Sequence, residues 1–151
     1  MLPPGLPRGP ARGLARVIVL DASVLVAFFE PSDRWHTEAV ALLAAHAGED
    51  LVVPTLTLAE FLVGPARSPE LLARAIAALS RLGVAELPLP ADAAASLAVL
   101  RSEGRLKLPD CVVLLAAESE QAALATCDVR LATAAAARGV RVIGPRSEMT
   151  R

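Results

Sequence analysis

An α/β domain with a mainly parallel central sheet is what the sequence predicts, on three observations. Short runs rich in Val, Ile and Leu alternate along the chain with longer segments of helical apolar spacing, the pattern of strand–helix–strand units. The first run, Val17-Ile18-Val19-Leu20, has no polar alternation and so suits a strand buried on both faces, as in a parallel sheet covered by helices. That run ends on one carboxylate, Asp21, and in such sheets ligands collect beyond the carboxyl ends of the strands.

A chain of 151 residues fits one domain and is long enough to bury about two thirds of its unfolded surface without staples. Its hydrophobic fraction is 54% and its mean hydropathy +0.51. No apolar run approaches the roughly 18 residues a membrane span needs, so no membrane partner is expected, and the surplus points to a partner surface or a second copy. A net charge of −1 excludes a global basic field, so nucleic acid would have to be held by a local patch or through metal ions. Two cysteines, Cys111 and Cys127, and no signal-peptide pattern lead to the expectation of free thiols in a reducing cytoplasm.

Residues 1–16 hold Pro3, Pro4, Gly5, Pro7, Gly9, Pro10 and Gly13 and are expected to form a disordered leader. A natural start near Val17 would account for them equally well. The domain is expected over residues 17–145, with a polar tail at 146–151.

After Asp21, Ser23 to Glu30 reads as a short helix capped by Ser23 and stopped by Pro31. A helix from Asp33 to Ala47 follows, with Trp35, Ala39, Leu42, Leu43 and His46 at three- and four-residue steps. Leu51 to Val53 is the second strand, Pro54 ends it, and Thr55 to Val63 is helical with Glu60 inside. Gly64-Pro65 breaks the chain, and Ser68-Pro69 opens a helix to Arg81, serine as cap and proline in the first turn. Val84 to Leu87 is the third strand; a helix from Pro90 ends at Gly104. Pro109-Asp110 starts a helix, Cys111 to Glu120, apolar nearly all round and therefore central. Ala122 to Thr126 is the fourth strand, Asp128 caps a helix over Val129 to Arg138, and Val140 to Ile143 is the last strand.

On that skeleton Asp21, Glu60, Asp110 and Asp128 all fall near the same rim of the sheet. Carboxylates gathered there repel one another, and a divalent cation removes the conflict. An all-oxygen donor set without His or Cys suits a hard ion, Mg²⁺ or Mn²⁺, rather than zinc. Metal-assisted phosphodiester hydrolysis by an activated water is the chemistry that follows.

The motifs around these acids resemble a known family. Asp21 in Leu-Asp-Ala-Ser-Val-Leu, Glu60 in Thr-Leu-Ala-Glu-Phe, Asp110 in Leu-Pro-Asp-Cys-Val-Val-Leu-Leu-Ala-Ala and Asp128 in Thr-Cys-Asp-Val-Arg-Leu look like the ordered acidic motifs of PIN-domain nucleases. The likeness is greatest to the VapC toxins of bacterial VapBC toxin–antitoxin pairs and covers roughly Val17 to Ile143. It implies a three-layer α/β/α PIN-like domain and a Mg²⁺- or Mn²⁺-dependent endoribonuclease. It further implies a homodimer inhibited by a cognate VapB-type antitoxin. Asp21, Glu60, Asp110 and Asp128 match the family's metal-binding and catalytic acids, and Ser23 and Thr126 its supporting hydroxyls. Cys127 departs from the family's usual Asn, Asp or Ser between the last Thr and Asp, which puts any role of that side chain in doubt. Arg67, Arg101, Arg105 and Lys107 are the candidates for contact with the RNA backbone.

Plainer roles compete at each position. Asp128 could serve only as a helix cap, and Thr57-x-x-Glu60 has capping-box spacing, although a helix start at Thr55 would put Glu60 beyond the cap. Asp110 could only complement a helix dipole. Glu118 reads as a solvated or structural acid. His36 and His46 read as surface or core residues, and Phe28, Phe29, Trp35 and Phe61 as core or partner surface ahead of base stacking. Two rivals to the ribonuclease remain: an inactive PIN-like module acting through protein partners, and a phosphatase using Asp21, which would want an acid where Ser23 stands.

Overall fold

In the computed structural model residues 16–144 are described. The expected leader, apart from Arg16, and the expected tail lie outside them. Five strands and seven helices alternate: β1 Val17–Leu20, α1 Ala22–Phe29, α2 His36–Ala45, β2 Asp50–Pro54, α3 Thr55–Leu62, α4 Pro69–Arg81, β3 Ala85–Leu87, α5 Ala93–Glu103, α6 Leu108–Ser119, β4 Ala123–Ala125, α7 Val129–Ala137 and β5 Val142–Ile143. A short 3-10 turn, Pro65–Arg67, joins α3 to α4.

All five strands are parallel, in the order β3-β2-β1-β4-β5. The chain therefore builds outward from β1 on one side, then returns to add β4 on the other. The strand order reverses between β1 and β4, and a crevice opens at such a switch point beyond the carboxyl ends of the strands. Asp21 follows β1, and Thr126 and Asp128 follow β4.

Side-chain alternation along β1 explains the three layers. Ile18 and Leu20 point to one face, into a core shared with Val24, Leu25, Leu43, Phe61 and Leu79 from α1, α2, α3 and α4. Val19 points to the other, where Leu97, Val112, Leu114 and Leu131 from α5, α6 and α7 cover it. All three β1 residues are fully buried, so a run without polar alternation is what this position demands. Helix α6 is buried along most of its length, as its apolar circumference predicts. Among the described residues no helix is long and apolar enough to cross a membrane.

Several boundaries differ from the sequence reading, each for a local reason. Helix α2 begins at His36 rather than Asp33, because the Asp33 side chain accepts the Trp35 backbone N–H at 2.8 Å and holds a turn instead. Helix α5 begins at Ala93 rather than Pro90, because Asp92 takes a left-handed conformation, φ 62°, just before it. Ser23 does not cap α1: Asp21 occupies the cap position and Ser23 lies inside the first turn. Thr57 is likewise interior to α3, so the Thr57–Glu60 capping box does not form. Ser68 does cap α4, its hydroxyl accepting from the Leu71 N–H at 3.4 Å. Cys111 and Cys127 are buried and form no disulfide.

Candidate active site

Asp21 is buried to 8% exposure at the end of β1, and its orientation is set from both sides of the switch point. Oδ2 accepts the Ser23 hydroxyl at 2.7 Å and the Thr126 hydroxyl at 2.9 Å. Each hydroxyl oxygen in turn accepts a backbone N–H of the loop between β4 and α7: Ser23 from Cys127 at 3.0 Å, Thr126 from Asp128 at 3.0 Å. A hydroxyl has one proton, and both protons here go to Oδ2, so the 3.4 Å separation of the two oxygens is a contact rather than a third bond. Among the described residues Oδ1 of Asp21 receives no hydrogen bond. Cys127 enters this network through its backbone N–H, a contact that any non-proline residue at that position can make.

Gly144, just after β5, completes the support. A Cβ there would collide with the carbonyl oxygen of Thr126, so the strand end and the Thr126 hydroxyl depend on glycine's missing side chain.

Asp128 does cap α7, its Oδ1 accepting from Arg130 N at 2.8 Å and Leu131 N at 3.2 Å. This fixes one oxygen and leaves Oδ2 outside the cap. Asp110 sits in the first turn of α6, three residues after the cap position Lys107, whose backbone N–H it accepts in the reciprocal half of a capping box. Burial first, and then the charges of Asp21, Asp128 and Glu60, hold the Asp110 carboxyl above the usual carboxylate range against that bond. Capping and membership of one acidic group are thus compatible roles. Burial and then Asp110 push the Cys111 thiol up, so it is a poor thiolate.

The raised Asp110 has a consequence for stability. A carboxyl that binds its proton more tightly folded than unfolded favours the fold below the ordinary aspartate pKa, and that advantage is lost as pH rises through the folded value. In chelator, Asp110→Asn is expected to melt above the parent at about pH 7 and to lose that advantage near pH 4. Paired melts at the two pH values check this; a parent more stable than the variant at neutral pH would contradict it.

A cleft of about 680 Å³ opens beside Ser23, Glu60, Cys127 and Asp128, and Asp33, Trp35, Phe61 and Gly64 form its other walls. Asp21, Asp110 and Thr126 are not in its lining: hydrogen bonds join Asp21 to Ser23 and Thr126, and Asp110 lies within reach of the charges of Asp21, Asp128 and Glu60. Among the described residues no three His, Cys, Asp or Glu side chains close on a common point that could hold an ion. The donor set nonetheless has the chemistry of a hard-ion site: hydroxyl-oriented carboxylate oxygens and no imidazole or thiolate among them.

The predicted cations divide. Arg101 on α5 lies close enough to Cys111 to act on its thiol, and Arg105 and Lys107 are exposed in the loop leading to Asp110. Arg67 is apart from these, its Nε donating to Gly64 O at 2.9 Å on the wall of a separate groove with Phe29, Leu71 and Arg74. Glu118 pairs with Arg138, the structural role its position suggested. His36 bonds Ala27 O through Nδ1 at 2.8 Å, and His46 stands 3.4 Å from Glu49; neither lines the cleft. The sequence reading missed Trp35 and Asp33 as walls of the cleft. They precede a helix, and no spacing rule links that turn to the strand ends.

Loss of either supporting hydroxyl is expected to slow any reaction that depends on Asp21. Groups that orient ligating carboxylates typically cost 10–100-fold when removed. Ser23→Ala and Thr126→Val should each fall roughly in that range, and the double variant should lose less than the product because both serve one oxygen. Steady-state rates of the three variants test it; full independence would mean the hydroxyls do not act through Asp21.

A family model described as the PIN domain matches residues 18–137. A comparison with curated protein sequences finds no match. Among solved structures, a toxin–antitoxin complex from Klebsiella pneumoniae is 27% identical, with 75% of this chain and 88% of that chain covered and a TM-score of 0.63. VapC20 of Mycobacterium tuberculosis, described as a sarcin–ricin loop cleaving toxin, is 17% identical with 78% and 94% covered and a TM-score of 0.65. FitAcB from Neisseria gonorrhoeae is 24% identical with 85% and 97% covered and a TM-score of 0.64. At these identities the last two speak for the fold.

Proposed function

This chain belongs to the PIN domain family, and from that premise we propose that it is a divalent-metal-dependent endoribonuclease, the toxin of a type II toxin–antitoxin pair. The observation that carries this reading is the shared field of four carboxylates, in which Asp21, Asp128 and Glu60 all act on the half-buried Asp110. A protein gains nothing for folding from such repulsion, and a Mg²⁺ or Mn²⁺ ion offsets it.

Asp21, Asp128, Glu60 and Asp110 would hold the ion. Bound there, it supplies Lewis acidity to the phosphodiester and eases deprotonation of a water. Ser23 and Thr126 hold Asp21 in one orientation by donating to Oδ2, so the carboxylate need not reorganise as charge builds up in the transition state. The cap on Asp128 does the same for that side chain. Water adds to phosphorus, one P–O ester bond breaks, and the departing oxygen takes a proton. Arg101, Arg105 and Lys107, beside the start of α6, are the cations available to neighbouring phosphates; Arg67 would meet RNA only on a longer path.

The toxin role, a VapB-type antitoxin as partner, a homodimer and a cytoplasmic setting belong to the same proposal. Support comes from similarity to a Klebsiella toxin–antitoxin complex and from apolar side chains left half-exposed on α4 and α5, such as Ile76 at 51% and Val99 at 53%. Incubation of single-stranded RNA with the protein tests the activity: internal cleavage is expected with Mg²⁺ and none with chelator. Cleavage that ignores chelator would overturn the metal mechanism. Tight antitoxin binding without any dication binding would favour the inactive PIN-like module instead.

A further inference from the structure

We propose that Trp35 is a stacking platform for a base of the RNA strand beside the bond being cut, an inference that rests on the nuclease reading of the same cleft. Trp35 lines the cleft together with Ser23, Glu60 and Asp128; it is partly buried and packs on one side against the core of Leu25 and Phe61. It is the one tryptophan of a chain that has no tyrosine.

The residue is held in place before any ligand arrives. Trp35 N–H donates to Asp33 Oδ1 at 2.8 Å, Asp33 N–H to Glu30 O at 2.9 Å, and His36 N–H to Asp33 O at 3.1 Å. The His36 ring anchors the following helix to Ala27 O at 2.8 Å. A turn this constrained presents the indole at little entropic cost on binding.

Charge explains why a π-face is wanted there. Asp33, Glu60 and Asp128 make the cleft acidic, so it has no surplus of positive charge with which to hold a strand. Stacking supplies affinity that needs no charge and tolerates any base, because every base has a π-face. The exposed Arg34 guanidinium lies over one face of the indole, 4.7 Å from its centroid, a place that a base takes by displacing it toward the adjoining phosphate. A guanidinium plane also stacks on bases, and it carries the positive charge that an adjoining phosphate requires. The Trp35–Arg34 pair thus offers base and phosphate recognition at the edge of an acidic site.

The single tryptophan makes the test direct. In an Asp21→Asn background with Mg²⁺, a short single-stranded oligoribonucleotide of mixed sequence is titrated against indole emission and against the anisotropy of the labelled strand. Quenching that tracks the anisotropy is expected. Trp35→Leu should weaken binding about 10-fold, the order that one stacked base contributes, and Trp35→Phe should recover most of it. Unchanged emission at saturation, or Trp35→Leu binding as tightly as its parent, overturns the platform while RNA cleavage by the unsubstituted chain still stands. A strand that the unsubstituted chain neither binds nor cuts overturns both readings.

Discussion

Asp21→Asn is expected to slow RNA cleavage by at least about 100-fold without unfolding the protein. The lower bound follows from the 10–100-fold cost of removing groups that merely orient such an acid. The substitution keeps shape and removes charge. If the asparagine oxygen takes the place of Oδ2, it still accepts the Ser23 and Thr126 hydroxyls, and an NH₂ group then replaces the anionic Oδ1. If the amide turns the other way, two hydroxyl donors meet a third donor. Either orientation withdraws the anionic oxygen that a dication would need. Cleavage rates at saturating Mg²⁺, set beside thermal melts, check the result; a folded variant cutting RNA at the parent's rate would remove Asp21 from the mechanism.

Leu124→Ala is expected to destabilise the protein by about 3–5 kcal/mol, the range for buried leucines whose cavities do not collapse. Leu124 is fully buried in β4, paired with Val19 on one side and Val142 on the other. It belongs to the core that α5, α6 and α7 form against the sheet. Backbone pairing on both sides holds the strand in place, so neighbours cannot close the void. Against a typical total of about 5–15 kcal/mol, this is a large share. Melting should drop by roughly 6–20 °C, at about 2–4 °C per kcal/mol for a domain of this size. Urea midpoints should fall with an unchanged slope, whereas Val99→Ala, at a half-exposed position, should move them little. A loss below about 1 kcal/mol would mean that β4 is not part of the cooperative core.

The two substitutions probe different kinds of information in the chain. Leu124 belongs to an apolar run that reads as a strand, and the run could be read because burial on both faces leaves no other composition workable. The same holds for β1 and for α6. Boundaries were harder. Asp33 and Asp92 redirect the chain through one side-chain bond and one left-handed residue, and both effects are local choices that periodicity does not register.

The sequence by itself determined the α/β class, the order of strands and helices, and where the four acids fall along them, Asp21 after a strand, Glu60 inside a helix, Asp110 and Asp128 at helix starts. These follow from apolar spacing and from how rarely a carboxylate ends a buried strand without a partner. Only the tertiary structure decided that β1 and β4 are neighbours at the switch point, and hence that Ser23 and Thr126, 103 residues apart, share one oxygen of Asp21. It also decided that Gly144 lies against Thr126 and that Trp35 lines one cleft with Glu60 and Asp128. Strand order and side-chain approach depend on distances closed across the whole chain, and no local pattern encodes them.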